Sequence, residues 1–501
     1  MSDRRIRKVV ILGGGTAGWM TAAALVKVNS PPQFDITLIE SDDIGTIGVG
    51  EATIPTIHWF NRLVDVSEAD LLRETKATFK LGIELTHWNG TGSRYFHPFG
   101  FFGGPNDGPM FYHRWIRSRL EGGSDSHYGY SLTTQAAQAG RFAPPSPDPN
   151  SIFATLGHAY HFDAGLYAGL LRRRCELRGV RRIEGKVTLV TQDPNSGFIT
   201  TLTTQRGDII AGDLFIDCSG MRALLIEGTL KSGFEDWSHW LPGDRALAVA
   251  SEVAPDPSPF TRAIAHPCGW QWRIPLQHRT GNGIVYSSRF MDDATAADTL
   301  MSNLDGAALG SPRLIRFAAG QRRVAWNKNV VAIGLSAGFL EPLESTSIHL
   351  IQSGIAKLLS LFPARDCDPK TAAQFNRIFA ADVESIRDFL ILHYHRTAGR
   401  SEALWQYCQH MAVPAGLAYK SDLFRNTGRI VLEPEDLFKE ASWFAVMMGQ
   451  GLEPTDYNPL LDSISREENQ AHLRRIRGQI ATALMTMPRH RDYIQQRLKA
   501  A

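Results

Sequence analysis

Near the start of the chain, a short apolar run is followed by glycines and then by an apolar stretch with helical spacing. The run "KVVIL" (8–12) predicts a β-strand, "GGGTAG" (13–18) a tight turn and "WMTAAALVK" (19–27) an alanine-rich helix. A second apolar run, "FDITLIE" (34–40), predicts another strand. Strands that alternate with a helix in this way predict a fold of the α/β class.

Two later segments repeat the strand pattern. "GDLFIDCSG" (212–220) predicts a strand that ends at a glycine, and "NVVAIG" (329–334) predicts a strand before a loop and a long helix. Pro342 disfavours a helix before it, so this helix is expected to begin near Ser345, a candidate N-cap. Its apolar face is formed by Ile348, Ile351, Ile355 and Leu358.

The start of that helix is also a candidate anion site. Its first free N–H groups, at about Thr346 and Ser347, lie at the positive end of the helix dipole. Glu344 lies beside them, where a bound anion would repel a carboxylate. The alternative is that Glu344 is structural and complements the dipole.

Beyond about residue 361 the periodicity is helical, as in "AAQFNRIFAADVESIRDFLILHYHRT" and "NQAHLRRIRGQIATALMTM". The predicted fold class is α/β: a Rossmann-like nucleotide-binding body of two or three ββα layers over residues 1–360, and a mostly helical lobe over 361–501. Insertions in the body would lie on its substrate side, and the lobe would cover the substrate.

Two tryptophans, Trp270 and Trp272, stand two positions apart in "GWQWRIPLQ" (269–277). Alternation of this kind predicts a half-buried strand in which both are core residues. A role beside a bound ligand is the alternative.

A helix is predicted over the first part of "SEADLLRETKATFKLGIEL" (67–85), where Ser67 and Asp70 form a capping box. It is expected to end near Lys80, just before a strand. A lysine at such a junction ordinarily is solvated or complements the helix C-terminus, and a catalytic role is the alternative. The inward face would contain Leu72, Thr75 and Phe79.

Composition narrows the class of partner. The 501 residues carry 53 basic and 51 acidic side chains, so charge gives no reason to expect nucleic acid or a membrane surface. The five cysteines show no metal-ligand spacing, which predicts reduced thiols, a cytoplasmic location and no metal site. The basic start leads into glycines rather than a long apolar run, and no run of eighteen apolar residues occurs, so neither a signal peptide nor a membrane span is expected.

The first turn carries the G-x-G-x-x-G fingerprint of dinucleotide binding. Gly13 would allow the turn, Gly15 the approach of a pyrophosphate to the helix start at Thr16 and Ala17, and Gly18 close packing of helix and sheet. The second strand ends in Glu40, at the spacing of a ribose-binding acid. The chain contains no second fingerprint for NAD(P)H, which favours a single tightly bound FAD.

A further glycine-rich segment, "IGTIGVGEATIPTIHWF" (44–60), would let the chain lie against a flat flavin ring. Its glycines are at positions 45, 48 and 50, and Glu51 and Ala52 follow them. Leu335, in the loop after the strand at 329–334, is expected to reach the same cofactor.

These segments together resemble the flavin-dependent halogenases of the tryptophan halogenase type. The matching motifs are "GGGTAGWM", "GVGEATIPT", "ATFKLGI", "WQWRIP" (the family's W-x-W-x-I-P) and "FLEPLESTSI", which span about residues 5–360. The resemblance implies that FADH2, delivered by a separate flavin reductase, reacts with O2 and that chloride or bromide is oxidised to hypohalous acid. The oxidant then passes through a tunnel to an aromatic substrate.

The resemblance also implies residue roles. Lys80 would hold the oxidant by hydrogen bonding or as a haloamine, and Glu344 would polarise it or take the proton from the halogenated ring. Thr346 and Ser347 would bind the halide, although Ser347 stands where the family often has glycine. Trp270 and Trp272 would keep the organic substrate away from the oxygen-activated flavin.

Substrate choice is expected to depart from tryptophan. His97 and Phe99 match a His-x-Phe pair with which the family sandwiches an indole, although an aromatic loop packed on itself remains the alternative. Where tryptophan-specific members carry Tyr-Tyr and an acid, this chain has "ASWFAVMMGQG" (441–451), which lacks a carboxylate for an ammonium group. Indole, a substituted indole or another electron-rich aromatic is therefore expected.

Two other functions remain open from the sequence. One is a flavin monooxygenase that hydroxylates its aromatic substrate, and the other is a redox-responsive module that binds FAD without halogenating. A halide requirement for product formation distinguishes both from a halogenase.

Overall fold

The computed structural model describes residues 4–44, 50–253 and 255–500. The chain divides into two compact units, each built from three segments. The first unit comprises Met1–Lys76, Phe162–Ser238 and Phe317–Glu384, and the second comprises Ala77–His161, His239–Arg316 and Ser385–Ala501. These units differ from a division near residue 360, because the nearest boundary follows Glu384. The separate functions expected for residues 1–360 and 361–501 stay predictions.

The strands occur mainly before residue 340. They are β1 Lys8–Leu12, β2 Asp35–Glu40, β3 Gly50–Ala52, β4 Thr78–Lys80, β5 Gly82–Thr86, β6 Arg94–Pro98, β7 Ala159–Asp163, β8 Arg181–Glu184, β9 Val187–Gln192, β10 Ile199–Thr204, β11 Ile209–Ala211, β12 Leu214–Asp217, β13 Phe234–Asp236, β14 Arg245–Ser251, β15 Thr261–His266, β16 Gly269–Pro275, β17 Thr280–Tyr286, β18 Arg313–Arg316, β19 Gly320–Arg322, β20 Trp326–Asn327, β21 Val330–Ala332 and β22 Gly338–Phe339.

The α-helices become dominant after residue 346, as the periodicity predicts. They are α1 Thr16–Val28, α2 Ile57–Leu63, α3 Glu68–Glu74, α4 Met110–Leu120, α5 Leu132–Gln138, α6 Ala164–Leu177, α7 Asp293–Ser302, α8 Ser347–Ser360, α9 Pro369–His395, α10 Ala403–His410, α11 Ala415–Thr427, α12 Glu440–Gly449, α13 Arg466–Thr486 and α14 His490–Ala500. The α/β class with a helical C-terminal part is confirmed.

The first unit contains the predicted nucleotide-binding sheet. Its strand order is β20-β21-β12-β1-β2-β8, and all neighbours are parallel except β20 and β21. The chain moves from β1 to β2 on one side and reaches β12 on the other. The carboxyl end of β1 is therefore the position at which such sheets bind ligands.

The second unit contains a seven-stranded mixed sheet in the order β18-β14-β17-β16-β15-β5-β6. The central strand β16 carries the two tryptophans, and all seven of its residues are buried. The expected strand is therefore confirmed, but the half-buried character is wrong, because both of its faces are covered.

The helix expected to end near Lys80 is shorter than predicted. Its capping box at Ser67 and Asp70 is present, but α3 ends at Glu74. Lys76 then adopts a left-handed φ of 55°, which a continuing helix cannot contain. Residues 78–80 instead pair with β7, so Lys80 lies on a strand.

The helix after Pro342 begins two residues later than expected. A single 3₁₀ turn covers Pro342–Glu344, and Ser345 has a φ of 59°, so this residue cannot be the first in the helix. Thr346, rather than Ser345, is the N-cap of α8. The predicted apolar face is confirmed, since all four of its residues are buried.

Candidate active site

The glycine turn after β1 is shaped by backbone contacts within the first unit. Gly13 has a φ of 114°, and a Cβ atom there would lie 2.1 Å from the carbonyl oxygen of Cys218. A Cβ atom on Gly18 would lie 1.8 Å from the carbonyl oxygen of Gly13. These two positions therefore require glycine for the turn and for the packing of α1, as the fingerprint predicts.

Gly15 differs, because a Cβ atom there would meet no described atom within 4 Å. It is the N-cap of α1, so the free N–H groups of Thr16 and Ala17 face the same end of the helix. The first turn of α1 contains no acidic side chain. This open, positively polarised end fits the pyrophosphate of a dinucleotide.

Leu335 lies close to this helix start. It belongs to the 3₁₀ turn Gly334–Ser336, which follows β21. A Cβ atom on Gly334 would lie 2.8 Å from Cβ of Ala17, so the turn packs directly against the first turn of α1. The structure thus brings the turn that contains Leu335 to Ala17, although the two predicted cofactor residues belong to distant segments of the chain.

Glu40 ends β2, as the sequence predicts. Its carboxylate accepts hydrogen bonds from Arg182 Nε at 2.5 Å and Trp19 Nε1 at 3.4 Å, and Arg172 lies 3.4 Å away. Its Oε2 occupies the space that a Cβ atom on Gly14 would need. Glu40 therefore lies against the glycine turn, while its role as a ribose ligand stays a prediction.

The segment expected to lie along the flavin is described from residue 50 onward. Gly50, Glu51 and Ala52 form β3, whereas residues 45 and 48 lie outside the described residues. Burial raises the pKa of Glu51 to about 8, so this carboxyl group is protonated at neutral pH. Thr56 Oγ1 is 3.1 Å from His349 Nδ1, which links the segment to α8.

The expected halide segment is buried. Glu344 and Thr346 have no solvent-exposed surface, and Thr346 Oγ1 has no hydrogen-bond partner among the described residues. Ser347 provides the first N–H group within α8. A buried hydroxyl that no described residue satisfies, next to a helix start, is consistent with a small anionic ligand.

Lys80 lies in the second unit, fully buried on β4. Its Nζ is 5.0 Å from the ring centroid of Phe99, a cation–π distance. The two residues come together because Phe99 N–H donates to the carbonyl oxygen of Leu81, which extends the β5–β6 ladder to the residue after Lys80. Lysine is among the residues that are least often fully buried.

His97 and Phe99 are both buried, with ring centroids 6.4 Å apart and planes at 72°. Three aromatic residues from the C-terminal part of the chain complete this cluster, and local sequence signals did not identify them as partners. Phe389 and Phe438 lie 5.6 and 5.8 Å from His97, and Trp443 lies 5.0 Å from Phe389. The predicted pair is therefore part of a larger aromatic cluster, and its contact with an indole stays a prediction.

The two tryptophans of β16 continue a second aromatic cluster. Trp270 is 6.1 Å from Trp272 and 6.3 Å from Trp88, which contacts Trp405. Trp272 fits because its cross-strand partner is Gly283, where a Cβ atom would lie 2.0 Å from the indole. Their flavin-shielding role stays a prediction.

Other site chemistries receive no support from the described residues. Among residues 4–44, 50–253 and 255–500, no group of three or more His, Cys, Asp or Glu side chains is arranged to hold a metal ion. In the same part of the chain, no helix is both long and apolar enough to span a membrane.

Comparison with known proteins agrees with this geometry. The tryptophan halogenase family model matches residues 8–466. Tryptophan 7-halogenase RebH from Lentzea aerocolonigenes is 32% identical over 531 residues, covering 98% of this chain and 99% of its own.

Two solved structures of flavin-dependent halogenases superpose closely on the chain. Xcc4156 from Xanthomonas campestris has a TM-score of 0.94 and 48% identity, with 98% of each chain covered. BrvH from Brevundimonas sp. BAL3 has a TM-score of 0.95 and 44% identity, covering 99% of this chain and 100% of its own. The chain therefore belongs to the tryptophan halogenase family and is a flavin-dependent halogenase.

Proposed function

We propose that the protein halogenates an electron-rich aromatic, most readily indole or a substituted indole, with FADH2, O2 and a halide. Reduced flavin and O2 supply the oxidising equivalents: FADH2, O2, a halide ion and a proton give FAD, water and hypohalous acid. The aromatic C–H then takes up the halogen and releases a second water. A separate flavin reductase would supply FADH2.

The observation that carries this proposal is the buried amine of Lys80 against Phe99, beside His97. Burying an amine in an apolar environment costs stability, and strongly buried titratable groups cluster at functional sites. Free hypohalous acid reacts with many groups. An amine fixed near an aromatic site raises its effective concentration at one ring position.

The first unit would provide the halide and cofactor sites. Thr346 and the N–H group of Ser347 would hold the halide, since the buried threonine hydroxyl has no other described partner. Glu344 would assist in activating the oxidant. The glycine turn would hold the FAD pyrophosphate at Gly15.

The preference for indole over tryptophan rests on the charges in the C-terminal segment. Its helix α12 presents buried aromatic and thioether side chains, among them Trp443 and Met447. A nearby buried carboxylate, Asp436, is already paired with Lys420 and accepts hydrogen bonds from Ser385 and Glu433. It is therefore not free to bind the ammonium group of an amino acid.

The first test uses Lys80→Ala together with Lys80→Met, which keeps the side-chain length but removes the amine. Both variants should oxidise FADH2 and release hypohalous acid, measured with a chemical trap. We expect aromatic halogenation to fall by about 10³-fold or more, because the oriented amine is lost.

Omission of halide provides the matched control. Without halide, a halogenase yields no product, whereas a hydroxylase still yields hydroxylated aromatic. A redox module yields neither the halogenated nor the hydroxylated aromatic, whether halide is present or not. Near-normal halogenation by a folded Lys80→Met protein would refute the role of Lys80.

A further inference from the structure

The strand that carries Lys80 is only three residues long, and one of its edges pairs with β7. At the other edge, the N–H group of Phe79 donates to Nε2 of His490 at 3.1 Å. His490 begins α14, more than 400 residues further along the chain, and is fully buried. A side chain from the C-terminal helix thus completes the hydrogen bonding of β4.

The protonation of His490 follows from its partners. A backbone N–H can only donate, so Nε2 must carry the lone pair. Nδ1 lies 2.9 Å from the carbonyl oxygen of Pro257, which can only accept, so Nδ1 carries the hydrogen. Both ring nitrogens are satisfied in one neutral tautomer, and no proton can be added without the loss of the bond to Phe79.

A second buried histidine holds the side-chain face of the same strand. Thr78 Oγ1 donates its hydrogen to the carbonyl oxygen of Pro275 at 2.7 Å. Thr78 Oγ1 must therefore accept the hydrogen bond from Nδ1 of His161 at 3.1 Å. His161 Nε2 then accepts from Thr261 Oγ1 at 2.9 Å. These partners also fix a single neutral tautomer.

This network joins two of the sequence motifs. Pro275 is the last residue of the W-x-W-x-I-P strand, and Thr78 shares a face of β4 with Lys80 because strand side chains alternate. The pKa of His161 is lowered chiefly by burial. The second cause is the charge of Lys80, which shows that the two side chains lie close together.

We propose that His490 and His161 are positioning residues that fix β4, through Phe79 and Thr78, so that the amine of Lys80 is held at one place beside Phe99. This inference rests on the proposed role of Lys80. Neither histidine needs to touch substrate or oxidant. Their effect would be on how much of the oxidant reaches the aromatic ring.

The experiment compares His490→Phe, which keeps an aromatic ring but neither hydrogen bond, with His490→Gln, whose Oε1 can still accept from Phe79. The matched control is His113→Phe, since His113 is also buried in the second unit and accepts a backbone N–H, from Asn458. The measured quantity is halogenated product per FADH2 oxidised, with leaked hypohalous acid trapped in parallel.

We expect His490→Phe to oxidise FADH2 at the unchanged rate but to lose about 10-fold or more of its product yield, with a matching rise in trapped oxidant. His490→Gln should recover much of the yield, and His113→Phe should retain it. A purely structural role would lower flavin oxidation and product together and leave their ratio unchanged.

An unchanged product yield in folded His490→Phe, or an equal loss in His113→Phe, would overturn the inference. If His490→Phe does not fold, Thr78→Val provides the same comparison, because it removes the hydroxyl at nearly constant volume. Here too an unchanged ratio overturns the inference. Failure of the proposed function is distinguishable, because in that case Lys80→Met itself would keep its product yield.

Discussion

At the scale of single residues, the glycines of the G-x-G-x-x-G motif differ in what their positions require. Gly13 and Gly18 are required by the protein's own backbone, since added Cβ atoms would overlap carbonyl oxygens. A Cβ atom on Gly15 would meet no described atom within 4 Å, so the described residues leave room for a side chain there. The motif alone assigns these roles by analogy. The structure gives the contacts that require glycine at positions 13 and 18, and the pyrophosphate role of Gly15 stays a prediction.

This difference gives a prediction for Gly15→Val and Gly18→Val. We expect Gly15→Val to fold with a Tm near that of the unaltered protein but to bind FAD at least about 100-fold more weakly, because the valine fills the pyrophosphate space. Gly18→Val should lower the Tm or prevent folding, because the overlap is with backbone. Flavin fluorescence titration and thermal unfolding measure both effects.

Wild-type-like FAD affinity in folded Gly15→Val would contradict the assignment of this turn. Loss of folding in Gly15→Val with retention in Gly18→Val would reverse it. The control is Gly310→Val: Gly310 lies outside the turn, a Cβ atom there would meet no described atom within 4 Å, and its φ is not in the left-handed region.

At the level of elements, we expect the side chains of α12 to influence which ring substituents a substrate can carry. The helix runs from Glu440 to Gly449 and carries Trp443, which joins the aromatic cluster of His97 through Phe389. Lys420 Nζ lies 4.8 Å from the centroid of the Trp443 ring and forms an ion pair with Asp436. Lys420 and Asp436 therefore compensate each other's charge, and the one acidic residue of α12, Glu440, is its first residue.

We expect kcat/KM for indole to exceed that for tryptophan by about 100-fold, measured with bromide and a supplied flavin reductase. The physical reason is that moving the ammonium group of tryptophan from water into a site without a partner charge costs a few kcal/mol of binding free energy. A clear preference for tryptophan would show that another carboxylate binds its ammonium group. Glu433 and Glu435 would be tested first, by substitution with glutamine.

Across the whole molecule, buried neutral histidines couple folding to pH. Burial is the largest cause that lowers the pKa of His349 and His490 to about 4 and that of His127 to about 3, and it also lowers that of His161. Burial of Glu51 acts in the opposite direction, because it raises the pKa of an acid. The first unit contains His349 and Glu51, and the second contains the other three.

We expect the Tm to be lower at pH 5 than at pH 7. Between about pH 6.5 and 4 the unfolded chain binds protons at these four histidines while the folded chain does not. Folding stability therefore falls as the pH is lowered, by up to about 1.4 kcal/mol per pH unit for each histidine. Glu51 offsets one of the four between pH 4.5 and 8, because it is protonated in the folded protein and ionised in the unfolded chain.

Thermal unfolding followed by circular dichroism at constant ionic strength measures this dependence. His349→Gln and His490→Gln should each make it shallower. A Tm that stays constant or rises on acidification to pH 5 would contradict the prediction.

The sequence by itself determined the elements whose cause is local. The glycine turn needs backbone freedom at Gly13, the capping box needs Ser67 and Asp70 three residues apart, and the face of α8 needs apolar residues at helical spacing. Each follows from a few neighbouring residues, and the structure contains each of them. The family motifs added the candidate roles of Lys80 and Glu344, which remain predictions.

Only the tertiary structure decided the features that depend on pairing and packing with residues distant in the chain. Residues 78–80 form a strand rather than the end of a helix because β7 and His490 satisfy their backbone. The aromatic cluster around His97 is completed by Phe389 and Phe438, which lie about 300 residues away in the chain. Local propensity cannot predict such contacts, because their free energy depends on burial and hydrogen bonding that exist only after the chain has folded.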